Sequence, residues 1–117
     1  MHLLWIGIGG GLGALGRYGL VSLLQERSLA FPWGTLAVNA LGCFLVGAVF
    51  DRLSTDARAF VVVGVLGGFT TFSAFGHETC ELLRRGQATF ALLNAGGSVV
   101  VGIGAVLLGR AAATIFG

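Results

Sequence analysis

The side chains in this 117-residue chain that could do chemistry are few, and most gather in one stretch. That stretch is Gly67-Gly68-Phe69-Thr70-Thr71-Phe72-Ser73-Ala74-Phe75, followed by Glu78 and Thr79. Thr35 and Asn39 are four residues apart and share a helix face, as do Asn94 and Ser98. Arg17 stands alone in the first apolar run. Polar groups inside apolar spans are costly, so each is a functional candidate. One reading of the amides and hydroxyls is helix-to-helix hydrogen bonding. The other is a polar track beside a pore, which two i,i+4 pairs on different helices favour. Glycine and adjacent threonines weaken a helix, which predicts a break in the third span. Backbone carbonyls freed at mid-membrane depth are tolerated only inside protein or along a cavity. There they make a cation site, as in channel filters. Phe72 and Phe75 are three apart and lie on one face. Core or lipid contact is the plain explanation for them, but aromatic edges also carry partial positive charge. Facing a pore, such edges hold a small anion weakly without trapping it.

These are hydrogen-bonding and dipolar groups, not reacting ones. His2 is terminal, His77 adjoins Glu78, and no nucleophile, base and orienting group can be assembled. His77 is expected near a membrane interface. Metal ligands of the His/Cys/carboxylate type lack usable spacing. Cys43 and Cys80 sit in apolar segments without CxxC spacing and read as small buried hydrophobes. Gly9-Gly10-Gly11-Leu12-Gly13-Ala14 fits GxGxxA, but no strand precedes it and no acid stands about 20 residues on, where Gly34 lies.

The elements that must position these groups are membrane helices. Apolar residues make up 56% and charged residues 10%, against roughly 25% charged in a soluble domain. Seven arginines, no lysine and five acids cannot coat a small soluble globule, and such apolar content is not a disordered chain. The arginines are scattered, which argues against nucleic acid. At about 20 residues per span, four spans account for roughly 80 residues. They are read at about 3–24, 33–50, 60–83 and 89–108, one transmembrane unit over 1–117. Pro32 suits the first turn of the second. The first run lacks a basic leader and cleavage site and reads as a retained helix. No span reads as strongly amphipathic. Glycine, at 21 residues, forms GxxxG pairs at Gly7/Gly11, Gly9/Gly13 and Gly64/Gly68, with Ala105/Gly109 as a small-residue pair; such pairs let helices approach closely in lipid.

Four spans place Arg52, Arg58 and Arg110 on one side and Arg27, Arg84 and Arg85 on the other. The tie gives no orientation by the positive-inside rule. Insertion both ways, with antiparallel self-pairing, follows as an expectation. Eight helices can enclose a polar path that four cannot.

Taken in order, the motifs resemble one family along essentially the whole chain. Gly9-Gly10-Gly11, Gly13-Ala14 and Gly16-Arg17-Tyr18 are followed by Pro32-Trp33-Gly34-Thr35-Leu36, Val38-Asn39, Gly42-Cys43-Phe44 and the Gly67–Phe75 stretch with Glu78. Together they resemble the Fluc-type fluoride channels, also called CrcB. The resemblance implies an all-α, four-helix subunit with a break in its third helix. It implies an antiparallel, dual-topology homodimer with two fluoride pores, in a bacterial inner membrane. A passive, fluoride-selective channel that removes cytoplasmic fluoride is the implied activity. A structural sodium ion at the dimer centre would be held by the carbonyls of Gly67 and Thr70. The pore residues map onto Asn39, Phe72 and Phe75, and the polar track onto Thr71, Ser73, Glu78, Asn94 and Ser98. Arg17 matches an arginine near an anion-gathering vestibule. Ala74 departs from the pattern, where a hydroxyl is usual.

On this reading fluoride exchanges water for amide and hydroxyl donors and for aromatic edges. An ionised Glu78 would repel it, so Glu78 is expected to be protonated, or hydrogen-bonded as a donor, during passage. A small dual-topology proton-coupled exporter has similar length but needs a carboxylate deep in its first helix, which has none. A non-transporting membrane subunit would not explain the track or the break.

Overall fold

The structure, a computed structural model, describes residues 2–26 and 28–116; every element among them is helical and none is a strand. Arg27, one of the six loop arginines counted above, lies outside the described residues. Helix α1 spans His2–Leu24 and α2 spans Trp33–Val49, continued by a 3-10 turn at Phe50–Arg52. The third stretch starts as α3, Thr55–Arg58, capped by Ser54 Oγ, which accepts the Ala57 N–H at 3.2 Å. It continues as a π-helix at Ala59–Leu66 and as the short α4, Gly67–Phe69. After a gap come α5, Phe72–Arg84, and α6, Ala88–Phe116.

Some boundaries differ from the sequence reading. The polar segment 51–58 is mostly helical, because Ser54 starts the third helix early. Helix α6 continues past Arg110 to Phe116, since nothing in Ala111-Ala112-Ala113 breaks a helix. Its predecessor α5 ends where Gly86 takes a positive φ of 74°. There the N–H groups of Gly86 and Gln87 donate to the carbonyls of Leu83 and Leu82 at 3.1 and 2.8 Å. Helix α5 is also clearly amphipathic, contrary to expectation: Ser73, His77, Cys80 and Arg84 share its exposed face. Cys80 is therefore exposed rather than buried, Cys43 is half-buried, and both are free thiols.

Three stretches, Trp33–Arg52, Thr55–Arg84 and Ala88–Phe116, are long and apolar enough to cross a membrane. The glycines that dilute the apolarity of α1 bring it against the third stretch. A Cβ on Gly9 would lie 2.6 Å from the Phe60 carbonyl, and one on Gly13 would collide with the Val65 carbonyl. One on Gly68 would strike the Gly10 carbonyl. Numbers rise together along this contact, so α1 and the third stretch run parallel. Helices α2 and α6 also run parallel, from Phe31 beside Phe90 through Cys43 beside Gly102 to Arg52 at the Ala113 carbonyl, and they approach closely at Gly47 against Val106 and Gly109 against Phe44. Gly7 and Gly11 face open space among the described residues.

Gln25 joins the ends of α1 and α2. Its Nε2 donates to the Phe31 carbonyl at 3.1 Å and its Oε1 accepts the Gly34 N–H at 2.8 Å. That N–H is a first-turn donor with no partner inside the helix.

Gly13→Ala should lower stability by about 1–3 kcal/mol, since its methyl would meet backbone that cannot yield. Gly11→Ala should be neutral or slightly stabilising. Thermal unfolding of both variants in one detergent checks the contrast.

Candidate functional site

The third stretch comes apart midway along its length. Thr70 and Thr71 are extended, with φ/ψ of −85°/158° and −149°/124°, between the end of α4 and the start of α5. The sequence expectation of a break lay in this double-glycine, double-threonine stretch. The break leaves backbone groups to be satisfied from elsewhere.

Asn39, on α2, does much of this. Its Nδ2 donates to the Thr71 carbonyl at 3.0 Å, and its Oδ1 accepts the Thr71 N–H at 2.8 Å. The side-chain amide thus pairs with Thr71 as a neighbouring strand would, and one amide hydrogen remains free. Thr71 Oγ1 accepts the Ala74 N–H at 3.2 Å and caps α5. Arg17 Nε, on α1, donates to the Gly68 carbonyl at 3.2 Å.

These bonds determine which carbonyls are left over. In a continuous helix Gly67 would receive the Thr71 N–H, and Thr70 would receive the Ala74 N–H. Both donors are engaged with side chains, so Gly67 and Thr70 lose their helical partners. The two residues line an open cleft between α2 and the third stretch, together with Gly42 and Cys43. Freed carbonyls with no positive group of their own suit a hard cation.

The predicted pore groups adjoin the other side of the break. Phe72 is 82% exposed and Ser73 is exposed. The Phe72 and Phe75 rings have centroids 5.5 Å apart at 43°. The Thr71 and Ser73 hydroxyl oxygens are 3.3 Å apart. Further along α5, Thr35 Oγ1 donates to Glu78 Oε2 at 3.1 Å. The other carboxyl oxygen, Oε1, is buried without a protein partner. Thr35 and Asn39 therefore do share a face, and both reach the broken helix from α2.

Asn94 and Ser98 belong to a different set. Asn94, only 2% exposed, donates through Nδ2 to Thr79 Oγ1 at 2.8 Å. Thr79 passes its own proton to the Phe75 carbonyl at 2.7 Å, and Ser98 donates to Asn94 Oδ1 at 3.4 Å. This chain ties α6 to α5 behind Phe75. The sequence reading noted Thr79 only as polar; its spacing of four from Phe75 is the signal for the back-bond.

Asn39→Ala should leave the Thr71 N–H and carbonyl unpaired. A loss of about 2–6 kcal/mol is expected, roughly 1–3 per group. Thermal unfolding checks this against Asn94→Ala, which removes side-chain partners only and should cost less.

Comparison with known proteins gives a consistent result. A family model described as CrcB-like protein, Camphor Resistance (CrcB), matches residues 4–110. A Thermus thermophilus protein named fluoride-specific ion channel FluC is 49% identical, over 91% of this chain and 90% of its own length. Relatives of the same name from Phocaeicola vulgatus and Opitutus terrae are 42% and 46% identical. They cover 92% and 94% of this chain, and 93% and 90% of their own lengths. The match spans every element from α1 into α6, including the break and both groups of side chains around it. The chain belongs to the CrcB family.

Proposed function

We propose that this chain is the subunit of a passive, fluoride-selective anion channel that lets fluoride leave the cytoplasm across a bacterial inner membrane. The observation that carries the proposal is the broken third helix, with Phe72, Ser73 and Phe75 displayed at the start of α5. The relatives' shared name supplies the identity of the ion.

The break turns two helix ends toward each other. The end of α4 carries partial negative charge and the start of α5 partial positive charge. A cation is favoured at the first and an anion at the second. Fluoride gives up water, so a path for it must offer replacement donors. The remaining Asn39 amide hydrogen and the Thr71 and Ser73 hydroxyls are such donors. The edges of Phe72 and Phe75 add weak attraction without a full charge. Ala74 contributes no hydroxyl, and its N–H is already engaged in capping α5. Glu78 holds Thr35 with one oxygen, and its unpartnered Oε1 suits a carboxyl that carries a proton and donates it toward the ion.

The same proposal includes four spans, with α1 as the first, and an antiparallel homodimer with two pores. The single chain is 20 Å in its thinnest dimension, about two helix diameters, and leaves Phe72 and the polar face of α5 uncovered. A second copy would cover them and complete a pore. The carbonyls of Gly67 and Thr70 from both copies would hold a structural sodium ion, which would supply fixed positive charge at the dimer centre. The fit rests on the loss of helical donors at those two carbonyls.

Liposomes containing the purified protein should release fluoride rapidly and chloride not at all, as read by ion-selective electrodes. Phe72→Ile should slow fluoride release by roughly tenfold or more, equivalent to about 1.4 kcal/mol on the barrier. Glu78→Gln should alter both the rate and its pH dependence. Absence of fluoride release from folded protein would overturn the proposal. Undiminished release by Glu78→Gln at every pH would remove the proton-dependent role of that residue.

A further inference from the structure

Arg17 is half-buried on α1, and the arginine ion pairs among the described residues are Arg84–Glu81 and Arg110–Asp51, neither of which includes it. A guanidinium within an apolar helix needs a partner. Its partner here is the Gly68 carbonyl, which accepts the Nε–H at 3.2 Å. Gly68 is the penultimate residue of the helical run Thr55–Phe69, whose last carbonyls have no continuing helix to serve them. A cation at a helix C-terminus is favoured both by the carbonyl bond and by the aligned peptide dipoles.

The approach that makes this bond is built into the backbone. Gly68 lies against Gly10, and Gly13 against Val65, so α1 comes close enough for Arg17 to reach over one turn. The Phe69 ring lies beside Gly16, the residue before Arg17.

We infer that Arg17 is a positioning residue: it caps the broken third helix from α1 and holds the break open. The bond satisfies Gly68, which would otherwise share the fate of Gly67 and Thr70. It thereby removes Gly68 from the run of carbonyls, Gly67 to Thr70, that lose their i+4 N–H partners at the break, and Gly67 and Thr70 are the two of that run that line the cleft. The role is distinct from gathering anions at a vestibule, which depends on charge alone. It also accounts for an arginine rather than any cation, since the planar Nε–H points in a fixed direction. The inference refines the channel reading above, but its first readout does not depend on transport.

The experiment compares wild type with Arg17→Met, which keeps an apolar stem and loses the donor. Amide hydrogen exchange over residues 66–74 should quicken by roughly tenfold, while exchange in α2 and α6 stays unchanged. Fluoride efflux is measured beside it as a function of fluoride concentration and ionic strength. A capping role lowers the maximal rate and leaves the half-saturating concentration unchanged. Unchanged exchange at 66–74, with a raised half-saturating concentration that added salt reproduces in wild type, would overturn the inference in favour of anion gathering. If Arg17→Met does not fold, Arg17→Lys replaces it, with the same outcomes read. Absence of fluoride efflux in wild type would defeat the channel proposal alone, because the exchange result still decides the capping.

Discussion

A helix that stops halfway across an apolar span leaves backbone N–H and C=O groups where water cannot reach them, and the rest of this molecule is arranged around that constraint. Each group freed at Thr70 and Thr71 must find a partner or remain available for a ligand. Asn39 takes both polar groups of Thr71. Thr71 Oγ1 takes the Ala74 N–H, and Arg17 takes the Gly68 carbonyl. Gly67, Phe69 and Thr70 keep carbonyls without a helical donor, and of these Gly67 and Thr70 line the cleft against α2. The partners come from α1, from α2 and from the break itself, so the break is a property of the whole bundle rather than of a weak stretch of sequence.

The same constraint explains the glycines. Short-range bonds from α1 and α2 to a backbone require that backbone to be close. Gly9, Gly13 and Gly68 remove the side chains that would separate α1 from the third stretch, and Gly42 does so between α2 and Thr70. Close backbone packing replaces the hydrophobic drive that lipid does not supply between helices. Gly7 and Gly11, with the same spacing but open space around them, show that a GxxxG pair by itself does not specify a contact.

Much of this was legible in the sequence. Low charge and long apolar runs gave the all-helical class, and weak helix formers beside one another located the break. The i,i+4 rule put Thr35 and Asn39 on one face. The family resemblance, carried by ordered motifs over the whole chain, agreed with the matches to CrcB relatives. Other features were hidden because they depend on which chains lie side by side. The partner of Arg17 is 51 residues away, and that of Asn39 is 32 away. The Gln25 clamp resembles any loop glutamine until Phe31 and Gly34 are seen around it. The amphipathic face of α5 was obscured because apolar residues before the break diluted its pattern. Asn94 and Ser98 had the spacing of a track, but in the folded chain their bonds link α6 to α5.

The central claim is that carbonyls left free at the break are satisfied by a cation shared between two copies of the chain. The most direct test is the monomer–dimer equilibrium in detergent, followed by light scattering as sodium is replaced by choline at constant ionic strength. The account predicts that the dimer forms with sodium and dissociates as it is withdrawn, with the helical content of each chain retained. A dimer that persists unchanged in choline, after exhaustive removal of sodium, would contradict it.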